Sequence, residues 1–411
     1  MLNNFRSYTE TPTPGLWRNS MVFVADDLNN GNTTGEWDHT VDTEEVSRLL
    51  HPSLMIDKIF AVEYEYDEFQ NKPRVRDEMF SKINEGRLIW YYVGHGSFDV
   101  LGAENYYTGA TDMGRFQNAG KLPLFIASSC KVSHLDYWAI DSLGQKTVLM
   151  NNLGAVASIG ATRISYPYPN NQLMKRALAN IANLRNPVAY SLMDAKIRYT
   201  EWNSNDETYI LLGDPNLRVI PPQRDSTMTI SKAGRTDIMQ SRERAIVSGQ
   251  YPQPGLAGEA DLIAFGTDNS YSLSGNALSQ KGAQLFRAKV SVNSSNYTGS
   301  FFIPDDIVSG ESGVVIAYTW DETSRRDYLS YYHPLKLSDE AIAVPNPTGP
   351  SIQLFLGSYD FREGDVVGSS PMLYARISDE HGINVTGSAG HNILLILDNA
   401  LQPIPVTQYF S

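Results

Sequence analysis

An α/β domain with a mostly parallel sheet flanked by helices, followed by β-rich segments, is the fold class that the sequence predicts. Three observations predict it. Between residues 19 and 220 short apolar runs alternate with helix-compatible stretches. After Pro221-Pro222 helical periodicity vanishes and short alternating segments take over. A second proline-rich stretch, Val344–Pro350, precedes further strand-like runs.

The apolar runs of the first region are Met21–Ala25, Leu54–Val62, Leu88–Val93, Leu122–Ala127, Ala155–Ile159 and Tyr209–Leu212. Between them lie the helix-compatible stretches Thr40–Leu50, Arg74–Asn84, Ile140–Asn151, Leu173–Ala182 and Val188–Tyr199. Unbroken apolar runs suit strands buried on both faces, the condition of a parallel sheet between helix layers. In the second region Thr227–Ile230, Arg244–Ser248, Asp261–Gly266, Leu285–Val292, Tyr297–Ile303 and Gly313–Trp320 recur at a spacing that suits an immunoglobulin-like β-sandwich. Strand-like runs resume at Ile352–Leu356, Pro371–Ile377 and Asn392–Leu397, the start of a further β domain that the chain cuts off. The expected division is a lead-in over 1–18, the α/β domain over 19–222 and the sandwich over 223–340. A linker over 341–350 and a truncated β domain over 351–411 complete it.

Composition narrows the function classes. The net charge of -13 would repel a phosphate backbone, and no Lys/Arg cluster stands out in the sequence to offset it, so nucleic acid is not an expected partner. No apolar run approaches the roughly 18 residues that span a bilayer. Met1–Ser20 has neither a basic start nor an apolar stretch, so it does not read as a signal peptide. A single cysteine excludes an intrachain disulfide and a multi-cysteine zinc site.

Ligands of open parallel sheets bind beyond the carboxyl ends of the strands. Three predicted strands end there on reactive residues: the first on Asp26-Asp27, the third on Gly94-His95-Gly96-Ser97, the fourth on Ser128-Ser129-Cys130. One crossover helix is expected between the His-bearing and Cys-bearing strands, which would make them neighbours. A free thiol is mostly protonated near neutral pH, and an adjacent imidazole both activates it and later protonates a leaving amine. The glycines around His95 permit a tight turn and close approach of another backbone, and the Gly96 amide can help bind an oxyanion. Taken singly, a lone cysteine is a small core residue and a lone histidine a loop donor; together at successive strand ends they point to nucleophilic catalysis.

The run YYVGHGS (Tyr91–Ser97), with KLPLFIASSC (Lys121–Cys130) ending 35 residues after His95, resembles the gingipain family of caspase-like cysteine peptidases. The resemblance extends to GAVASIGATRISYPYPNN (Gly154–Asn171) and YILLGDPNLRV (Tyr209–Val219), and so covers roughly 19–220. Within the family it is nearest to the signal-peptidase, or sortase, branch of type IX secretion, through SYDFREGDVVGSSPMLYARISDEHGINVTG (Ser358–Gly387) and above all DEHGIN (Asp379–Asn384). The resemblance implies Cys130 as nucleophile, His95 as general base and acid, and the Gly96 and Cys130 amides as oxyanion hole. It further implies Asp27, with Asp26 the alternate, as the carboxylate that orients His95. Substrate-binding residues would be Asp38, in GEWD (Gly35–Asp38), where the family holds a basic P1 side chain, together with Thr162 and Tyr166. No cofactor is required; a structural Ca²⁺ at Asp26–Asn30 stays open against a solvated acidic turn. The implied reaction is peptide cleavage or transpeptidation through a thioester, on secreted proteins bearing C-terminal signal domains. Outer-membrane secretion components would be partners, at the cell surface of a Gram-negative bacterium. The alternatives are a general secreted protease of this family, and a non-catalytic surface scaffold or adhesin, against which the retention of His95 and Cys130 counts.

Overall fold

The protein is described from a computed structural model over residues 1–411 except 28–38, 199–204, 220, 233–236, 274, 344–348, 380–382, 384–392, 399–401 and 408–411. The chain forms two compact units. The first comprises Met1–Arg224, Asn269–Lys281 and Trp320–Tyr328; the second comprises Asp225–Asp268, Gly282–Thr319 and Leu329–Ser411.

In the first unit helix α1 (Leu2–Glu10) precedes strand β1 (Ser20–Ala25). Then come α2 (His39–Arg48), β2 (Met55–Phe60), α3 (Pro73–Glu85), β3 (Ile89–Val93), the short pair β4 (Val100–Leu101) and β5 (Tyr107–Thr108), and β6 (Leu124–Ser128). Next follow α4 (Leu143–Leu149), β7 (Ala157–Ala161), α5 (Pro167–Ala182), α6 (Val188–Arg198), α7 (Asn205–Thr208) and β8 (Tyr209–Leu212). Six strands form one sheet in the order β2-β1-β3-β6-β7-β8, parallel throughout except that β8 runs antiparallel to β7. All six apolar runs of the sequence are strands of this sheet.

Side chains of the central strands alternate between two cores, as the two-residue period of a strand requires. Met21, Phe23, Tyr91, Ile126 and Ile159 face the layer that holds Leu173, Met174, Leu178 and Ile181 of α5. Val22, Val24, Trp90, Tyr92 and Phe125 face Val75, Met79, Phe80 and Ile83 of α3, with Trp90 stacked on Phe125 at 4.0 Å. Both helices start on proline at the first turn, where its missing N–H costs nothing.

One expectation is corrected. The crossover between β3 and β6 carries the β4–β5 pair and a single 3₁₀ turn (Met113–Arg115) and no α-helix. Its residues have no helical period; Tyr107 and Phe116 instead pack around Phe80 and Trp90. His-bearing and Cys-bearing strands are neighbours all the same.

Strands β9 (Thr227–Ser231), β10 (Ile238–Ser241), β11 (Arg244–Gln250) and β12 (Gly258–Phe265) follow. The hairpin β13 (Asn269–Leu273) and β14 (Asn276–Gln280) comes next, then β15 (Gln284–Asn293), β16 (Asn296–Phe302), β17 (Gly310–Asp321) and β18 (Arg326–Ala341). Eight of them pair as one continuous sheet, β10-β18-β17-β12-β15-β16-β11-β9, where the two separate sheets of an immunoglobulin-like sandwich were expected. The hairpin β13–β14 lies outside this sheet, in the first unit, where Leu278 joins Ala25 and Phe60 in a small core. Beyond the proline-rich stretch, β19 (Ser351–Leu356) pairs with β20 (Leu373–Ser378), and β21 (Leu394–Leu395) with β22 (Ile404–Pro405).

Candidate active site

The register of the sheet brings the reactive residues together. Ala25 pairs with Val93 and Val93 with Ser128, so β1, β3 and β6 end on one rung. The Asp26 amide continues the ladder to the Val93 carbonyl at 2.9 Å, and the Gly94 amide to the Ser128 carbonyl at 3.3 Å. His95 and Cys130 each stand two residues beyond the Val93–Ser128 pair, on strands that run roughly 5 Å apart.

Glycine is required on both sides of His95 by close approach. A Cβ on Gly94 would collide with Asp26 Cβ and stand 2.6 Å from the Tyr92 hydroxyl; one on Gly96 would collide with Ser129 Oγ. Beyond them the loop doubles back, with the Ser97 amide donating to Val100 O at 2.8 Å and the Gly102 amide to His95 O at 3.0 Å. The His95 loop therefore rests directly on the residue before Cys130.

Cys130 is half-buried. Its thiol reaches the Ser165 carbonyl at 3.3 Å, and the Ser165 amide donates to Sγ at 3.4 Å. Neither the Gly96 amide nor the Cys130 amide donates to any described residue, so both are available as donors to a developing oxyanion.

The two aspartates divide the work differently from the expectation. Asp26 Oδ2 accepts the His95 backbone amide at 2.8 Å and the Tyr92 hydroxyl at 3.1 Å, so Asp26 fixes the backbone that carries the imidazole. Burial pushes its carboxyl up to about 7, against the pull of the His95 amide. Asp27, expected to orient the His95 ring, is ion-paired with buried Lys72 and accepts the Tyr66 hydroxyl at 2.6 Å. An ammonium so close claims that carboxylate. Among the described residues, another imidazole packs against the His95 ring: His39, at the start of α2, lies edge-to-face on it with centroids 5.4 Å apart and planes at 90°. His39 is buried with neither ring nitrogen hydrogen-bonded, and burial pushes its pKa down to about 3, helped by the charge of His95. The sequence singled out neither His39 nor this pairing. Its only sequence signal is its position directly after GEWD.

Asp38 lies outside the described residues, as do Leu28–Asn30 of the Ca²⁺ candidate. The described acidic cluster there joins Asp26 and Asp27 to Glu104. Two of its carboxylates already have partners, Asp27 the Lys72 ammonium and Asp26 the His95 amide, and a Ca²⁺ ion would have to compete with both. Thr162 sits after β7 with its hydroxyl donated to Thr208 O at 3.0 Å. Tyr166 is held through its backbone by Asn205, and its ring is 58% exposed. The loops after β6 and β7 also present apolar side chains to solvent, Leu135, Ile140, Ile164 and Trp138, the last 94% exposed, and the first turn of α5 presents Tyr168. These loops are tied together by the Lys131 amide on Arg163 O at 3.0 Å and by the Arg163–Asp136 pair, and Tyr137 packs on Phe98 of the His95 loop at 4.5 Å. An apolar rim beside a partly exposed thiol suits an extended peptide.

A family model described as Peptidase family C25 matches residues 1–220. Among solved structures, the Arg-specific cysteine proteinase gingipain R (RGPB) is 14% identical, over 82% of this chain and 71% of its own, with a TM-score of 0.45. The complex of RgpB pro- and mature domains from Porphyromonas gingivalis is 14% identical, over 82% and 73%, with a TM-score of 0.43. Dimeric latent PorU from Porphyromonas gingivalis is 20% identical, over 63% of this chain and 27% of its own, with a TM-score of 0.34. No curated protein matches the chain.

Proposed function

The chain belongs to peptidase family C25 and is a cysteine peptidase, and from that premise we propose that Cys130 is its nucleophile and His95 its general base and acid. The observation that carries this reading is their shared position, two residues past one rung of adjacent strands, with the Gly96 and Cys130 amides unengaged among the described residues. His95 takes the thiol proton as Sγ attacks the scissile carbonyl. The oxyanion of the tetrahedral intermediate sits on the two amides. His95 then protonates the leaving amine, the C–N bond breaks and a thioester remains on Cys130. Water releases the acid product, or a second amine takes the acyl group. Tyr166 and the exposed apolar rim bind the substrate chain; Thr162, its hydroxyl engaged, contributes through the wall it forms.

The finer reading is removal of C-terminal signal domains from secreted proteins at the outer-membrane surface, within type IX secretion. What supports it is the likeness of Ser358–Gly387 to that branch of the family. Two measurements test the proposal in order. Cys130→Ala is expected to lower peptide cleavage on the order of 10⁴-fold while circular dichroism stays unchanged; undiminished cleavage would remove Cys130 from the chemistry. A secreted protein carrying a C-terminal signal domain, incubated with the enzyme and an added amine, should lose that domain in a single cut read by mass spectrometry. Indifference to the signal domain would leave a general peptidase.

A further inference from the structure

A concavity lies at the edge of the first unit opposite His95 and Cys130. A cavity of about 630 Å³ opens there, where α1, the segment before β1, the turn after α5 and the segment after β8 meet residues 325–327. Five of its lining residues are arginines, Arg18, Arg185, Arg218, Arg325 and Arg326, and its only carboxylate is Asp327, which pairs with Arg18 at 2.5 Å. Arg18 lies two residues before β1 begins and Asp26 directly after it ends, so this six-residue strand, roughly 20 Å long, separates the cavity from the catalytic edge.

Such a concentration of one charge is at odds with the chain as a whole, whose net charge is -13. Like charges gathered in one concavity repel, a cost that an anion of matching charge removes. Several of the guanidiniums are held in place by backbone carbonyls: Arg325 donates to Glu10 O at 2.9 Å and Arg218 to Arg185 O at 2.7 Å. Each uses one nitrogen in this way. A guanidinium has five N–H donors in a planar fork, the geometry that grips phosphoryl oxygens in pairs. The Tyr8 hydroxyl, buried beside Arg18 and Asp327, has no hydrogen-bond partner, so this end of the cavity is one partner short.

We propose that this cavity binds a small molecule carrying a di- or triphosphate group. The excess of guanidiniums over carboxylate exceeds what one carboxylate or one orthophosphate would neutralise, and a concavity of this volume suits a compact ligand rather than an extended acidic peptide. Occupancy ties α1 and residues 325–327 to the body of the unit, and so stabilises the fold by mass action.

The test titrates the full chain with inorganic tripolyphosphate by calorimetry, beside ATP, citrate and a hexaglutamate peptide. One saturable site is expected for tripolyphosphate, with a rise in melting temperature, and at least tenfold weaker binding for citrate and hexaglutamate. ATP binding more tightly than tripolyphosphate would mark the ligand as a nucleotide; equal binding would mark the bare oligophosphate; either supports the site. Arg218 and Arg326 are exposed, so Arg218→Gln with Arg326→Gln should fold and cleave peptides like the parent while losing tripolyphosphate affinity tenfold or more. Absence of a saturable site, affinity unchanged in the double variant, or citrate binding as tightly as tripolyphosphate would each overturn the proposal.

Discussion

At the scale of single residues the site turns on two histidines where one was expected. An imidazole sealed beside His95 with no hydrogen bond of its own supplies shape and a dry wall, and it acts through the ring it touches. His39→Phe keeps a neutral edge-to-face partner and should keep most of kcat, whereas His39→Ala opens a cavity beside His95 and should lower kcat on the order of tenfold with little change in KM. Equal activity of the two variants would show that the contact does not position His95. The same residue has a stability signature. Its folded pKa, about 3, lies below the unfolded value near 6.5, so its contribution is fully present above about 6.5 and is lost as pH falls towards 3. His39→Phe should remove that acid sensitivity from the melting curve. Cys130 and His95 were legible because each is rare in its context and ends a strongly apolar run. His39 was not, because nothing in a linear order says that the residue after GEWD folds back onto a loop more than fifty residues away. The ion pair of Asp27 was hidden for a related reason: Lys72, at the head of α3, is too far along the sequence to be foreseen as its partner.

At the scale of elements the catalytic edge is a stack of two loops, and Gly96 is where they touch. Gly96→Ala should cut activity by one to two orders of magnitude, on the order of 2 kcal/mol of displaced loop, because its methyl meets Ser129 Oγ. Adding Ser129→Gly removes the obstacle and should restore much of the loss, which assays of the single and double variants would read directly. Asp26 joins the same loops from β1, and its titration runs opposite to the usual carboxylate. With a folded pKa near 7 and an unfolded one near 3.8, the native state binds the extra proton between those values. Its burial therefore costs stability that is absent below about 4 and complete above about 7. Asp26→Asn should melt several degrees above the parent at pH 8 and lose that advantage by pH 4; a constant difference across the range would mean that Asp26 stays ionised. Strands and helices of the α/β region were legible because parallel strands need unbroken apolar runs and helices need a 3.6-residue period. The β4–β5 crossover was not, since two-residue strands carry no period at all. Strand β18, the longest, was hidden by the charges at both of its ends.

At the scale of the whole molecule the boundary at Pro221-Pro222, plain in the sequence, does not separate everything the first unit needs. Residues 269–281 return to it: Leu278 packs on Ala25 and Phe60, Lys58 donates to the Ser279 carbonyl at 2.8 Å, and Arg48 to the Ala277 carbonyl at 2.8 Å. Residues 320–328 return as well and bring Asp327 to Arg18. A chain ending at Arg224 should therefore melt several degrees lower than the full chain and be cut sooner by trypsin; matching melting curves would show that the returning segments are dispensable. The hairpin has a further consequence for descent. A recombination joint placed at the two prolines would transplant the loops that carry His95 and Cys130 and yet leave Ala25 and Phe60 without Leu278 against them. Lineages that swapped the region downstream of that joint had to inherit the hairpin with it, or find another cover for Ala25 and Phe60.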